Sequence, residues 1–314
     1  MCKIKKDFLK DKKVGEKYSF IGKIVNINKG DNFYNVDILL PEKFVINIKI
    51  EDFAEKIFKE RIYFFETIYS LEKEKKFFVS IKNCFIEKIF DLDKIYKFYS
   101  YFFPCSLISF NNIGSKIEYF LSLIKNKILF QITSNLYKKN KNKFLITPAA
   151  FKMHHVYYGG LGYHTLSMLE MSEVFLKKYS YLNADLIYSG IILHDMAKVS
   201  EFNFEEKVYN KEGILLGHLI LGVNSIHEEA LCLGVQDSEE ILLLKHLLIS
   251  HHGLLEYGSA KKPQISEALL LWFLDDIDSK MNTLGEKLEE IKKGTFTEPL
   301  NVLSKKCFYK PDLI

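Results

Sequence analysis

The chain has 314 residues, 48% of them hydrophobic and 27% charged, with a net charge of +4. That composition excludes a mostly disordered polymer, and the length allows two domains, each with its own core. So small a net charge excludes a global demand for an acidic partner, although lysine dominates the first 150 residues and acidic residues are richer after Asp185.

Residues 14–88 read as short strands. Tyr18 to Ile27 is β-branched and aromatic, a turn follows at Lys29–Asn32, and Phe33–Leu40 and Phe44–Ile50 flank the turn Pro41–Lys43. A short helix is expected over 52–60, then strands over 61–69 and 76–86. Five strands with a helix after the third fit a small closed β-barrel of the OB type over residues 1–88. Tyr18, Phe33 and Tyr34, with Phe20 and Phe44, are candidate platforms for stacked bases, and Lys23 and Lys29 candidate phosphate contacts. Each aromatic taken alone also fits the barrel core. Residues 89–146 read as a lysine-rich helical connector. From 147 to 293 the pattern is helical throughout, with segments over 164–178, 184–198, 213–233, 238–250 (Ser238 as cap) and 266–293. Residues 294–314 are expected to be a short, loosely held tail. The fold class is therefore α+β in two domains, a small β-barrel followed by an all-α bundle.

Arg61 is the single arginine, and abundant Lys, Asn, Ile, Phe and Tyr suggest an AT-rich genome, so phosphate contacts are expected to be lysine point charges rather than guanidinium forks. Cysteines at 2, 84, 105, 232 and 307 form no CxxC pair and predict neither a zinc knuckle nor a disulfide framework. The charged start Met1–Lys13 lacks the apolar core of a signal peptide, and no run approaches the roughly 18 apolar residues of a membrane span. A cytoplasmic protein without a membrane partner is expected.

All nine histidines fall between His154 and His252. His164, His194, Asp195, His218, His251, His252 and Asp275 lie in phrases that read as metal ligands, because neutral imidazole and carboxylate hold divalent cations in an open coordination shell. The pair His194-Asp195 comes near the end of a buried helix, where neighbouring residues point about 100° apart and can flank one ion while the second carboxylate oxygen reaches another. Lys198, four residues after His194, is expected on the same face, where it would meet a phosphate oxygen. Ligands drawn inward from separate helices are how α-helical bundles build two-metal sites.

The chain here resembles the HD-domain metal-dependent phosphohydrolases, and specifically the YhaM-like 3′–5′ exoribonucleases, which join an OB domain to an HD domain. The matching phrases are Pro148-Ala-Ala, His154-His155, Gly159-Gly-Leu161, His164-Thr165, Ile192-Leu-His-Asp-Met-Ala-Lys198 and Glu212-Gly-Ile-Leu-Leu-Gly-His218. They continue with Ser250-His-His-Gly253, Glu256-Tyr-Gly-Ser259, Pro263, Glu267-Ala268 and Asp275-Asp-Ile-Asp-Ser-Lys-Met281. The match is strong over about 147–285 and rests on pattern alone in the barrel. Tyr163 stands where the family usually has Glu, and Ala197 where it usually has Gly.

The resemblance implies one metal held by His164, His194, Asp195 and Asp275, and a second bridged by Asp195 and held by His218 and His251, with His252 a further ligand or phosphate contact. It implies substrate contacts from His154, His155, Lys198 and Asp278, and catalytic roles for Asp195 and Lys198. Two divalent ions are expected, Mn2+ first, with Mg2+, Co2+ or Fe2+ as alternatives. They would lower the pKa of the attacking water. The expected reaction is hydrolysis of single-stranded RNA, with single-stranded DNA a further candidate, from the 3′ end to nucleoside 5′-monophosphates. Homo-oligomerisation stays open. Two alternatives are a phosphohydrolase of a small nucleotide or cyclic dinucleotide with a regulatory barrel, and a non-catalytic RNA-binding protein.

Overall fold

Alternating side chains close the first part of the chain into a barrel. The computed structural model describes residues 8, 10–30, 32–51, 56–72, 74–149, 157–203 and 208–313. The chain divides into two compact units, Met1–Pro104 and Cys105–Ile314.

In the first unit, strands β1 (Lys17–Lys29), β2 (Tyr34–Leu39), β3 (Val45–Ile50), β4 (Ile62–Glu72) and β5 (Lys75–Phe85) form a closed barrel in the order β1-β2-β3-β5-β4. The β3–β5 pairing is parallel and the others antiparallel, an arrangement consistent with the OB fold. The alternation of β3 explains its place. Ile46, Ile48 and Ile50 are buried, and Ile46 and Ile48 face Ile38 and Val36 across the register. Register shifts at Ile24/Asn26 and Glu66/Thr67 supply the bends that closure needs. Phe20, Phe65, Tyr69 and Phe78 complete the core.

Of the expected helix over 52–60, residues 52–55 lie outside the described residues, while 56–60 form no helix and end in a turn with positive φ at Glu60 (61°). Helix α1 (Leu92–Phe102), capped by Asp91 accepting from the Lys94 amide, belongs to this unit.

The second unit contains α2 (Phe110–Ser122), α3 (Lys127–Ile146), α4 (Gly160–Lys178), α5 (Ala184–Leu193), α6 (Lys198–Glu201), α7 (Lys211–Leu233), α8 (Glu239–Ser250) and α9 (Ser266–Glu289). A small hairpin of β6 (Phe202–Asn203) and β7 (Val208–Tyr209) links α6 to α7. Helix α5 is the axis of the bundle. Leu186 to Leu193 are all buried, and α2, α3, α4, α8 and α9 pack around it. Asn126 ties three of these helices: its side chain caps α3, its amide donates to Asp185 of α5 (2.7 Å), and its Nδ2 donates to Glu240 of α8 (2.9 Å). Ser238 stands at the cap position of α8 but its hydroxyl bonds no amide there.

The stretch 89–146, expected as a connector, is divided between the units. α1 goes with the barrel, whereas α2 and α3 bury Phe110, Ile113, Ile117, Leu129, Ile132 and Phe144 inside the bundle. Its lysines mark only the outer faces. The tail is also held more firmly than expected. Backbone bridges join Phe296 to Tyr309 and Leu300 to Lys306, and Lys310 Nζ donates to the carbonyls of Leu288 (2.6 Å) and Ile291 (2.9 Å). No helix among the described residues is long and apolar enough to cross a membrane.

Phe65 has no exposed surface and lies in the centre of the barrel wall. Phe65→Ala should cost about 3–5 kcal/mol in the unfolding transition of the barrel followed by denaturant titration. Ile81→Ala, at an exposed position on β5, should stay within about 0.5 kcal/mol of wild type in the same measurement.

Candidate metal centre

His194 and His251 each occupy the position just after a helix, α5 and α8 respectively. The last carbonyls of a helix lack intrahelical partners. Both imidazoles use one: His194 Nδ1 donates to the Ile191 carbonyl and His251 Nδ1 to the Leu248 carbonyl, each at 2.7 Å. The ring is thereby fixed with its Nε2 lone pair directed into the bundle. His164, in the second turn of α4, is oriented by a carboxylate instead, its Nδ1 lying 2.6 Å from Asp278 Oδ2. Asp275 and Asp278 stand one turn apart on α9, so both reach the same ring, and Asp275 Oδ1 is 3.3 Å from His164 Nε2.

Asp195 sits between two sets of imidazoles. Its Oδ2 lies 3.4 Å from His194 Nε2 and 2.7 Å from Lys198 Nζ. Its Oδ1 lies 3.4 Å from His218 Nε2 and 3.7 Å from His251 Nε2. The approach of Lys198 differs in origin from that expected. α5 ends at Leu193, and the following residues make turns bonded three apart, Met196 N to Leu193 O, Lys198 N to Asp195 O and Val199 N to Met196 O. Lys198 therefore starts a new helix and folds back onto Asp195; it does not share an α-helical face with His194.

His218 follows a break in α7, where Gly217 adopts φ 70° and ψ 164°. Its Nδ1 faces Glu201 Oε2 at 3.5 Å. His252 packs against the rings of His251 and His218 at centroid distances of 4.3 and 5.2 Å. The turn that ends this pair requires glycine: Gly253 has φ 73°, and a Cβ there would fall 2.0 Å from Trp272 of α9.

The donor set fits divalent cations. One ligand atom from each of His164, His194 and Asp195 lies within 4.8 Å of the others, and the same holds for His218, His251 and His252. Asp195 Oδ1, His218 Nε2 and His251 Nε2 are buried with no hydrogen-bond partner. Leaving one such atom unpaired costs about 1–3 kcal/mol, and here a carboxylate oxygen and two imidazole nitrogens share the need within one small volume.

The electrostatics agree for the carboxylates and for His251 and His252. Burial alone would push the Asp195 carboxyl up, but the charges of Lys198, His194 and His218 hold it well below the usual carboxylate range. Asp275 is likewise held low against burial by its hydrogen bond to His164 and by the imidazoles around it. Burial, reinforced by neighbouring imidazoles, pushes His251 well below its ordinary value and lowers His252 as well, so both present neutral lone pairs at neutral pH. For His164 burial also acts downward, but the hydrogen bonds to Asp275 and Asp278 outweigh it and raise the ring to about 10, so a cation bound there would have to displace a proton from it.

His164, His194, Asp195, His218, His251, His252 and Asp275 are thus brought together. Asp278, expected to contact substrate, is buried with one oxygen on His164 and the other accepting from the Ser167 hydroxyl, so it serves the ring of His164 instead. Its position three residues after Asp275 was the signal for this role. Sequence reading gave no role to Ser167 or Glu201. His154 and His155 lie outside the described residues. Tyr18, Phe33 and Tyr34 belong to the barrel unit. Tyr18 and Tyr34 pack against its core, and the Tyr18 hydroxyl donates to Glu16 (2.7 Å). Phe33 lines a surface cleft.

Residues 161–280 match the family model of the HD domain, so the helical unit carries an HD domain. Among curated proteins, the chain is similar to three named 3′-5′ exoribonuclease YhaM. That of Geobacillus sp. (strain WCH70) is 43% identical over 197 residues, 62% of this chain and 60% of the relative. That of Bacillus pumilus (strain SAFR-032) is 44% identical over 189 residues, 60% of each chain. That of Bacillus subtilis (strain 168) is 41% identical over 202 residues, 64% of each. The chain spans less than two thirds of the length of these relatives. A solved structure of a replication protein A heterotrimer bound to ssDNA aligns with 29% of this chain and 70% of its own at 10% identity and a TM-score of 0.23, a likeness that bears no weight here.

Gly253→Ala should destabilise the protein by roughly 2–5 kcal/mol, combining left-handed backbone strain with overpacking against Trp272. The metal content of the purified protein should fall with it. Gly217→Ala meets open space and should show only the backbone strain, about 1–3 kcal/mol. Thermal melting read together with elemental analysis checks both.

Proposed function

We propose that this protein is a metal-dependent 3′–5′ exoribonuclease that hydrolyses single-stranded RNA to nucleoside 5′-monophosphates. The observation that carries the reading is the set of three partnerless buried ligand atoms around Asp195. The similarity to the exoribonucleases named above supports the choice of substrate.

His164, His194, Asp195 and Asp275 would hold one divalent cation. His218, His251 and His252 would hold a second, with Asp195 shared between the two. Such ions supply Lewis acidity toward a phosphoryl oxygen and make an attacking water acidic near neutral pH. Mn2+ suits a shell this rich in imidazole better than Mg2+ does. The remaining work falls to the chain itself. Asp278 holds His164 in register, and the helix-end carbonyls hold His194 and His251. The Lys198 ammonium, partly exposed beside Asp195, would offset charge developing on the phosphoryl group.

The barrel supplies a cleft of about 440 Å³ lined by Phe33, Asn47, Lys49, Lys75, Lys76 and Phe77, among others. Lys49 Nζ lies 4.6 Å from the Phe33 ring and 5.7 Å from that of Phe77. Rings flanked by ammonium groups are the chemistry that stacks bases and neutralises phosphates without sequence preference. This cleft would hold the strand that the helical unit shortens.

With Mn2+ and a 5′-labelled single strand, a ladder descending from the 3′ end with release of 5′-monophosphates is expected. An intact strand beside a hydrolysed cyclic dinucleotide would overturn the assignment in favour of a small-nucleotide phosphohydrolase. Asp195→Asn should remove turnover while leaving RNA affinity within a few-fold, which a pure RNA-binding protein has no reason to show. In the barrel, Phe33→Ala combined with Phe77→Ala should weaken single-strand binding by about 1–3 kcal/mol per stacked base, in a titration of labelled RNA at fixed salt.

A further inference from the structure

We propose that Glu201 is the positioning residue for His218, holding the ring so that Nε2 stays directed at Asp195 as a ligand atom; this rests on the metal-centre reading above. The other ring nitrogens show why one is needed. His194 and His251 are anchored by carbonyls of their own helix ends, and His164 by Asp278. His218 instead opens the helical segment that follows the break at Gly217 in α7. Among the described residues its Nε2 faces Asp195 Oδ1 at 3.4 Å, and the acceptor facing its Nδ1 is Glu201 Oε2 at 3.5 Å.

Glu201 is itself clamped. Its carbonyl accepts from the Asn210 amide (3.1 Å), and the Asn210 side chain caps α7 at Gly213 N (2.7 Å) while reaching back to the Ser200 carbonyl. Gly213 closes the clamp. A Cβ at that position would sit 2.2 Å from the Glu201 carbonyl oxygen and 2.7 Å from its Cγ, so only glycine lets the start of α7 press against this side chain. The carboxylate is thus delivered by backbone packing, with its side chain only 16% exposed. α6 thereby serves the Asp195–His218 contact from both of its termini. Lys198, at its start, engages Asp195, and Glu201, at its end, faces His218. A carboxylate behind the outer nitrogen of a ligating imidazole is the arrangement that fixes its tautomer and direction.

The test is a calorimetric titration of Mn2+ into the chelator-treated full chain, comparing wild type, Glu201→Met, Glu201→Gln and His218→Ala. Glu201→Met keeps the Cγ that packs at Gly213 and removes the acceptor. It should weaken one of two metal equivalents by about 10–100-fold, the same equivalent that His218→Ala removes, and leave the other unchanged. Glu201→Gln still accepts from Nδ1 and should recover most of that loss. Melting of the metal-free variants should match wild type. Two full-affinity equivalents in Glu201→Met, equal weakening of both, or a Gln variant as weak as the Met variant would overturn the assignment alone. A wild-type chain that takes up fewer than two equivalents overturns the centre itself and the assignment with it.

Discussion

The carboxylate of Asp195 faces two groups of imidazoles at once, one oxygen toward His194 and Lys198 and the other toward His218 and His251. A buried anion is tolerated only when positive charge or cations surround it, and the cost of removing one partner exceeds what the pair contributes. The positions of α4, α5, α7, α8 and α9 can be understood from this requirement. Each brings one or two side chains to within reach of the same carboxylate or of its immediate neighbours. The bundle is built around a place where carboxylates and imidazoles gather in a nearly solvent-free space.

Fixing the direction of each ring is the second constraint. An imidazole has two nitrogens, and only a partner on the outer one decides which lone pair faces inward. The molecule meets this in three ways. Helix-end carbonyls hold His194 and His251, a buried carboxylate one turn beyond Asp275 holds His164, and a carboxylate packed by a neighbouring glycine faces His218. The helix ends are economical because their carbonyls would otherwise need other partners. The glycines at 217 and 253 set the breaks that let His218 and the His251-His252 pair turn toward the centre.

Several departures from expectation share one physical cause, that local pattern reports a side chain's own preference and not what packs on it. Lysines over 89–146 suggested a connector, but the apolar faces of α2 and α3 belong to the bundle core. Mixed composition after Gly294 suggested a loose tail, yet backbone bridges and the ammonium of Lys310 tie it down. Asp278 was read as a substrate contact because its role depends on His164, 114 residues earlier in the chain.

What the amino-acid order determined by itself is substantial. Period-two alternation in Phe44–Ile50 sets a strand with one buried face, and the apolar run of α5 sets a central helix. The clustering of imidazole and carboxylate names the side chains that the fold gathers at one place, because such groups have few other uses when buried together. Tertiary structure alone decided the rest. The parallel β3–β5 pairing that completes the barrel, the sharing of Asp195 between two groups and the partner behind each ring all join residues far apart in sequence. Their distances follow from how helices and strands pack, a property of the whole fold that no local spacing encodes.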